Sequence, residues 1–231
     1  VRVAARNTVP GLQHGATPRW LPSVRTLWPA VDWPMARRGD NMNIRVETRG
    51  TLLDDANFAS TLHHLAQYHT EDGVLSGYMT NREFCGRIGK ERSWGSCRAD
   101  GFSNIPITRI CNLSLMPGST PLEQLTGEVR DGIILENNVS WSIDQKRLNF
   151  QFGCEIGWLI KNGRKAGMVK NPTYQGITPE FWGSCDAIAD HRDWRLRGVA
   201  NCGKGQPGQT AMMCHGSSPA RFRKVKVGMH G

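Results

Sequence analysis

Cys202 lies in the run Gly198-Val199-Ala200-Asn201-Cys202-Gly203-Lys204-Gly205-Gln206-Pro207-Gly208. Glycine at this density lets a backbone turn sharply or approach a ligand closely, and Lys204 sets a cation beside a thiol suited to metal ligation or nucleophilic attack. The bland alternative is a small side chain buried in a tight loop. Cys214-His215 adds two donors further on, but C-x11-C-H corresponds to no zinc spacing. Cys85 and Cys97 share that x11 interval in a basic stretch and are read as incidental. The densest imidazole cluster is His63, His64 and His69, just after Asp54-Asp55. Adjacent residues point to different faces of a helix, and a five-residue interval is not the i, i+4 spacing of a helical metal pair. These histidines are therefore expected to be solvent-exposed. HExxH, in which two histidines one turn apart hold zinc around a water-activating glutamate, is absent, as are G-x-S-x-G, the P-loop and G-x-G-x-x-G.

The elements that would position these groups begin near Thr51. A helix is expected over 57–68, with Phe58, Leu62 and Leu65 at i, i+4 and i+7, then a turn at Glu71-Asp72-Gly73 and a strand from Val74 to Met79, together suggesting a hairpin. The best-marked helix spans about 120–132: Thr120 as N-cap, Pro121 in the first turn, Glu123 closing a capping box, Leu122, Leu125, Val129 and Ile133 on one face, Gly132 as the stop. Beyond it come an alternating 149–152, an apolar run from Glu155 to Ile160, an Asn162-Gly163 hairpin turn into 166–169, and a short helix within 176–183. The period-two run 221–227 predicts a terminal strand with one wet face. The fold class is therefore α+β, a mainly antiparallel β core with few helices.

The chain has 231 residues, 39% hydrophobic and 21% charged, which is enough to bury a sizeable core. No run of eighteen apolar residues is present, so no membrane-spanning helix is expected, and no apolar leader is visible. Seven cysteines without a compact framework point to a reducing, cytoplasmic setting. Of the net charge of +9, residues 1–50 carry +5, on eight arginines, no lysine and three acids. That head, with Pro10, Pro18, Pro22, Pro29 and Pro34 among Trp20, Trp28 and Trp33, has no helical or alternating pattern. It is expected to be irregular, or text from a shifted reading frame, while 51–231 is ordinary globular sequence. Nucleic-acid binding through the head or the 221–226 strand is the weaker reading, because the charge is concentrated rather than spread.

Five blocks, taken in order, resemble the C-terminal half of the TldD/PmbA family, in particular its TldD-like, metal-binding branch. They are Asp72-Gly73-Val74-Leu75-Ser76-Gly77-Tyr78-Met79-Thr80-Asn81-Arg82, Ile107-Thr108-Arg109-Ile110-Cys111-Asn112-Leu113, Pro117-Gly118-Ser119-Thr120-Pro121-Leu122-Glu123, Glu155-Ile156-Gly157-Trp158-Leu159-Ile160 and Val199-Ala200-Asn201-Cys202-Gly203-Lys204-Gly205-Gln206. The likeness covers about 73–228. It implies a cytoplasmic zinc metallopeptidase, a type also described as a modulator of DNA gyrase. Zinc in such proteins is held by two histidines of an HExxxH helix and one distant cysteine, with the motif's glutamate as general base. Cys202 falls on that cysteine, and His2Cys would leave a fourth position for water. The resemblance also implies a dimer, with a paralogous subunit or a second copy, whose joint cavity admits extended or unfolded peptides.

The chain departs from this pattern in one respect. HExxxH is absent, and where the family would place it stands Leu12-Gln13-His14-Gly15-Ala16-Thr17, with His14 as a single remnant ligand and no general-base glutamate. The reading is therefore a zinc peptidase domain incomplete at its N-terminus, with Cys202 and His14 as metal candidates and no catalytic residue. The alternative is a non-catalytic binding subunit that pairs with an active paralogue or acts on gyrase by contact. Translating the coding DNA through and upstream of residue 1 in all three frames should reveal HExxxH; finding none would favour the binding subunit.

Overall fold

The structure is a computed structural model that describes residues 3–5, 46–47, 50–65, 68–71 and 74–229, with side chains over 50–65 and 79–228. Most of the Arg/Pro/Trp-rich head, His14 included, lies outside the described residues. In chain order the elements are β1 (Val3–Ala5), β2 (Val46–Glu47), β3 (Thr51–Leu53), α1 (Asp55–Leu65), β4 (Tyr68–Glu71), β5 (Val74–Tyr78) and α2 (Arg82–Cys85). Then follow β6 (Cys97–Arg98), β7 (Ile107–Thr108), β8 (Leu113–Leu115), α3 (Leu122–Gly127), β9 (Asp131–Ile143), β10 (Asn149–Lys161), β11 (Arg164–Lys170) and β12 (Pro172–Ile177). The last are α4 (Thr178–Gly183), β13 (Cys185–Ile188), β14 (Arg195–Lys204), β15 (Gln209–Ser217), β16 (Ala220–Phe222) and β17 (Lys226–Met229). The fold is α+β and mostly antiparallel.

The main sheet runs β13-β16-β3-β9-β10-β12-β17-β2, with β11 on the second half of β10. β3 and β9 pair in parallel; the other strand pairs of this sheet are antiparallel. A four-stranded sheet β5-β4-β1-β8 and the ribbons β14–β15 and β6–β7 stand apart from it. Successive strand residues face opposite sides, and the burial follows: Leu53, Ile133 and Leu135 join one apolar cluster, Leu52 and Ile134 the other. α1 packs on the first side with Phe58, Leu62 and Leu65, each at most 2% exposed, as the i, i+4, i+7 spacing predicts. Phe150, Phe152, Tyr174, Phe181 and Phe222 complete that side, with Phe181 and Phe222 stacked at 4.2 Å. Leu125 and Val129 cover the opposite side.

α1 starts because Asp54 caps it: its Oδ1 accepts the Asn57 N–H at 2.7 Å. Asn57 is fully buried and satisfied by a network the sequence did not disclose. It donates to the Leu135 carbonyl and to Cys154 Sγ, and Oδ1 accepts from Tyr174 Oη at 2.8 Å. Burial pushes the Asp54 carboxyl up to about 6 and the Cys154 thiol up to about 12.

Several expectations need correction. The helix expected over 120–132 ends at Gly127, and Ile133 lies in β9. Residues 131–135 have a β-branched run that pairs along both β10 and β3, and this tertiary pairing overrides the helical spacing. The cap is Pro121 without a side-chain bond, and Thr120 instead bridges Ala189. Asn149 to Lys161 is one continuous strand rather than two runs. The run 221–227 is broken, because Lys224 takes a positive φ of 55° between β16 and β17. It has no wet face at Arg221, which is 5% exposed and bonded to Asp186, Glu128 and the Leu125 carbonyl. The β4–β5 hairpin and the short helix α4 form as expected. So does the Asn162-Gly163 turn, with φ of 47° and 75°; a Cβ at Gly163 would also lie 2.5 Å from the Gly127 carbonyl.

Phe222 packs between Phe58 and Phe181 with no exposure. Phe222→Ala should cost about 3–5 kcal/mol, read as a lower urea midpoint at unchanged slope.

Candidate functional site

The candidate site is built on the β14–β15 ribbon. Cys202 lies in strand β14 opposite Ala211, not in the loop expected from its glycines. Gly198 and Gly203 would each accept a Cβ into open space, so no close approach demands them; Gly205, with φ of 99°, does need glycine's freedom. The register shifts between Val199 and Cys202, a bulge of the kind that re-aims a side chain. Cys202 is half-buried, and its thiol makes no hydrogen bond among the described residues.

Polar straps tie the ribbon tip to 96–109. Arg109 donates to the carbonyls of Cys202 and Gln209, and Lys204 Nζ donates to the Thr108 carbonyl at 2.5 Å. The Gln209 side chain accepts from Asp100 N–H at 2.9 Å and donates to the Ile105 carbonyl at 3.0 Å. At the other end Trp194 covers Gly216, where a Cβ would lie 1.9 Å from the indole, and its Nε1 donates to the Leu115 carbonyl.

Between ribbon and α1 stands a histidine pair. His63 and His64 are half-buried rather than exposed as expected, and their rings lie 4.8 Å apart although they are sequence neighbours. His63 Nδ1 is 2.9 Å from Nε2 of the fully buried His215. The shorter of two contacts at His215 Nδ1 makes it a donor to the Leu113 carbonyl, so Nε2 accepts from His63. His64 Nδ1 bonds the Ser60 carbonyl at 2.8 Å while its ring stacks on Trp141. Burial, with His215 and His64 beside it, drives His63 down to about 3, and burial drives His215 down to about 4. All three are therefore neutral near pH 7. The sequence raised Cys214-His215 only as metal donors; burial of His215 against His63 is a long-range fact without a local signal.

The metal expectation can be tested against these side chains. Zinc takes thiolate or imidazole donors, usually four in a closed site and three beside an open position. Cys202 supplies one donor of the right softness. Among the described residues, no group of three or more His, Cys, Asp or Glu is arranged to hold a metal ion. Cys202 and His215 are far apart along the ribbon: opposite Cys202 is Ala211, and four residues of strand from there to His215 span roughly 13 Å. His14 and the His69 side chain lie outside the described residues. The described residues thus do not themselves form a zinc site. All seven cysteines are free. Among the described residues no helix is long and apolar enough to cross a membrane.

A main sheet with helices on both faces and a cysteine-bearing ribbon beside it is a fold shared with known proteins. Residues 66–228 match the PmbA/TldA metallopeptidase C-terminal domain, and the chain belongs to that family. It is 32% identical over 158 residues to a metalloprotease of Synechocystis sp., covering 68% of this chain and 33% of that protein. It is 25% identical to a protein of Saccharolobus solfataricus named zinc metalloprotease TldD homolog, covering 68% and 34%. The chain therefore spans about a third of the length of the curated relatives it matches. The fold is like that of TldE from Thermococcus kodakarensis, with a TM-score of 0.61 at 13% identity over 79% of this chain and 50% of that one.

All three histidines, His63, His64 and His215, bind protons more weakly in the fold than their ordinary value of 6.5, burial being the first cause at each. Their stabilisation is full above 6.5 and is lost as pH falls towards 4 and 3. Asp54, raised from 3.8 to about 6, works oppositely, losing its contribution as pH rises through 6. Urea unfolding between pH 6.5 and 4 should show stability falling with acid, and His215→Gln should flatten that slope; an unchanged slope would contradict the assignment.

Proposed function

We propose that this chain is the C-terminal, cysteine-bearing portion of a zinc metallopeptidase that cleaves peptides or unfolded polypeptide in the cytoplasm. Cys202 is one metal ligand, and the others come from residues outside those described, His14 being the first to test. The observation that carries the reading is the position of Cys202: it lies within the family-matched span, just after the bulge, half-buried and with no hydrogen bond to its thiol among the described residues. The relatives named metalloprotease and zinc metalloprotease support peptide hydrolysis and zinc for the whole protein. Association with a paralogous subunit or a second copy belongs to the same reading.

On this reading one thiolate does not hold zinc tightly at neutral pH, because the remaining coordination must come from other donors. The purified 231-residue chain should hydrolyse an unfolded protein substrate no faster than buffer, with or without added zinc. Zinc-dependent hydrolysis by the chain alone would mean that a complete ligand set has been overlooked. In a complex reconstituted with a metal-bearing paralogue, Cys202→Ser should lower zinc affinity by about tenfold or more, measured by competition with a chromogenic chelator. Unchanged affinity and activity would instead favour a non-catalytic binding subunit.

A further inference from the structure

Arg109 is 3% exposed, yet no ion pair to it is present among the described residues, and its Nε has no hydrogen bond. The contrast with Arg221 is instructive. That guanidinium is also buried, but Asp186 and Glu128 neutralise it. A charge buried without a counter-charge costs stability, so an apolar side chain would serve better if Arg109 merely filled space. What a guanidinium offers and an apolar group does not is a rigid fork with two separate donors.

The fork spans both strands of the ribbon. Nη1 donates to the Gln209 carbonyl on β15 at 2.8 Å, and Nη2 donates to the Cys202 carbonyl on β14. The base of the side chain is anchored, since Arg109 N–H donates to the Ser96 carbonyl at 2.8 Å just past β7. Cys202 is the first paired residue after the register shift. A bulge leaves the direction of the next side chain soft, and a two-stranded ribbon by itself is marginally stable. Lys204 and the Gln209 side chain hold the tip, but neither touches the carbonyl that follows the bulge.

We propose that Arg109 is a positioning residue: by tying the Cys202 and Gln209 carbonyls together, its fork sets the direction of the Cys202 thiol. The functional meaning of this device rests on the reading of Cys202 as a metal ligand. Both the charge and the fork are needed, because a lysine at 109 reaches one carbonyl at a time. Arg109 touches no reacting atom in this scheme; it acts through the strand.

The test uses isotope-labelled 231-residue chain, wild type, Arg109→Met and Arg109→Lys. Three-bond Hα–Hβ couplings report the Cys202 χ1 rotamer, and hydrogen exchange reports the ribbon. Wild type should show one rotamer and both variants averaged couplings. Amides at 202–204 and 209–211 should exchange about tenfold faster, the loss of roughly one charge-assisted bond, while those at 195–198 and 214–217 keep their protection. A single unchanged rotamer in Arg109→Met, or full rescue by Arg109→Lys, overturns the fork's role. Loss of protection along the whole ribbon, or failure of both variants to fold, overturns it too, because Arg109 would then serve general stability. Cobalt added to the wild-type chain and to the reconstituted complex tests the other reading separately: no thiolate-to-cobalt absorption band in either would sink Cys202 as a ligand while leaving the rotamer result intact.

Discussion

The pairing of β10 is the constraint on which most of the molecule depends. On one edge this strand is bonded to β9 from Phe150 to Lys161; the other edge goes to β12 over 149–153 and then to β11 over 156–161. Phe150, Phe152 and Cys154 thereby face α1 together, and each is at most 4% exposed. Side chains alternate with period two, so a slip of one residue would send all three to the opposite face and remove the floor on which α1 lies. The bulge between Gly153 and Cys154 is part of the same register, and a Cβ at 153 would lie 2.3 Å from Ser140 Oγ, so that hydroxyl would have to rotate away.

α1 carries this order outward to the candidate site. One stripe, Phe58, Leu62 and Leu65, is committed to the core, while His63 meets His215 of the ribbon and His64 packs on Trp141 and Phe152. Among the described residues no third strand pairs with the ribbon. Its geometry is borrowed from contacts of different kinds: the imidazole pair and Asp55 on the α1 side, Asn112 and Ser114 along β15, Trp194 over Gly216, and the polar straps to 96–109. Cys202 sits nearest the straps. The straps are polar and run both ways: Arg109 reaches the ribbon from a segment 93 residues earlier, while Lys204 and Gln209 reach back to that segment from the ribbon.

This division bears on what family membership implies for the chain. The described residues of the C-terminal domain pack two apolar clusters on opposite faces of one sheet, and Cys202 is carried on the ribbon beside it. The water-activating carboxylate and the paired histidines of an HExxxH helix are not in this sequence.

Sequence alone determined what short-range chemistry can encode. The helical spacing of Phe58, Leu62 and Leu65, the positive-φ turn at Asn162-Gly163 and the β-rich α+β class are all local patterns, and so is the family likeness around Cys202. Tertiary structure decided what two distant segments settle between them. Ile133 left a helical pattern because β10 and β3 offered it partners on both edges. In the run 221–227, where Arg223, Lys224 and Lys226 stay exposed, Arg221 is buried because Asp186 and Glu128 drew it inward. His63 moved from solvent to a half-buried pair through His215, 152 residues away, and the Cys202 carbonyl, in a strand paired at Ala211, is bonded by Arg109 from 93 residues earlier. The physical reason is common to all four: a hydrogen bond across such an interval leaves no periodicity in the chain, so it becomes visible only when the fold brings its two ends together.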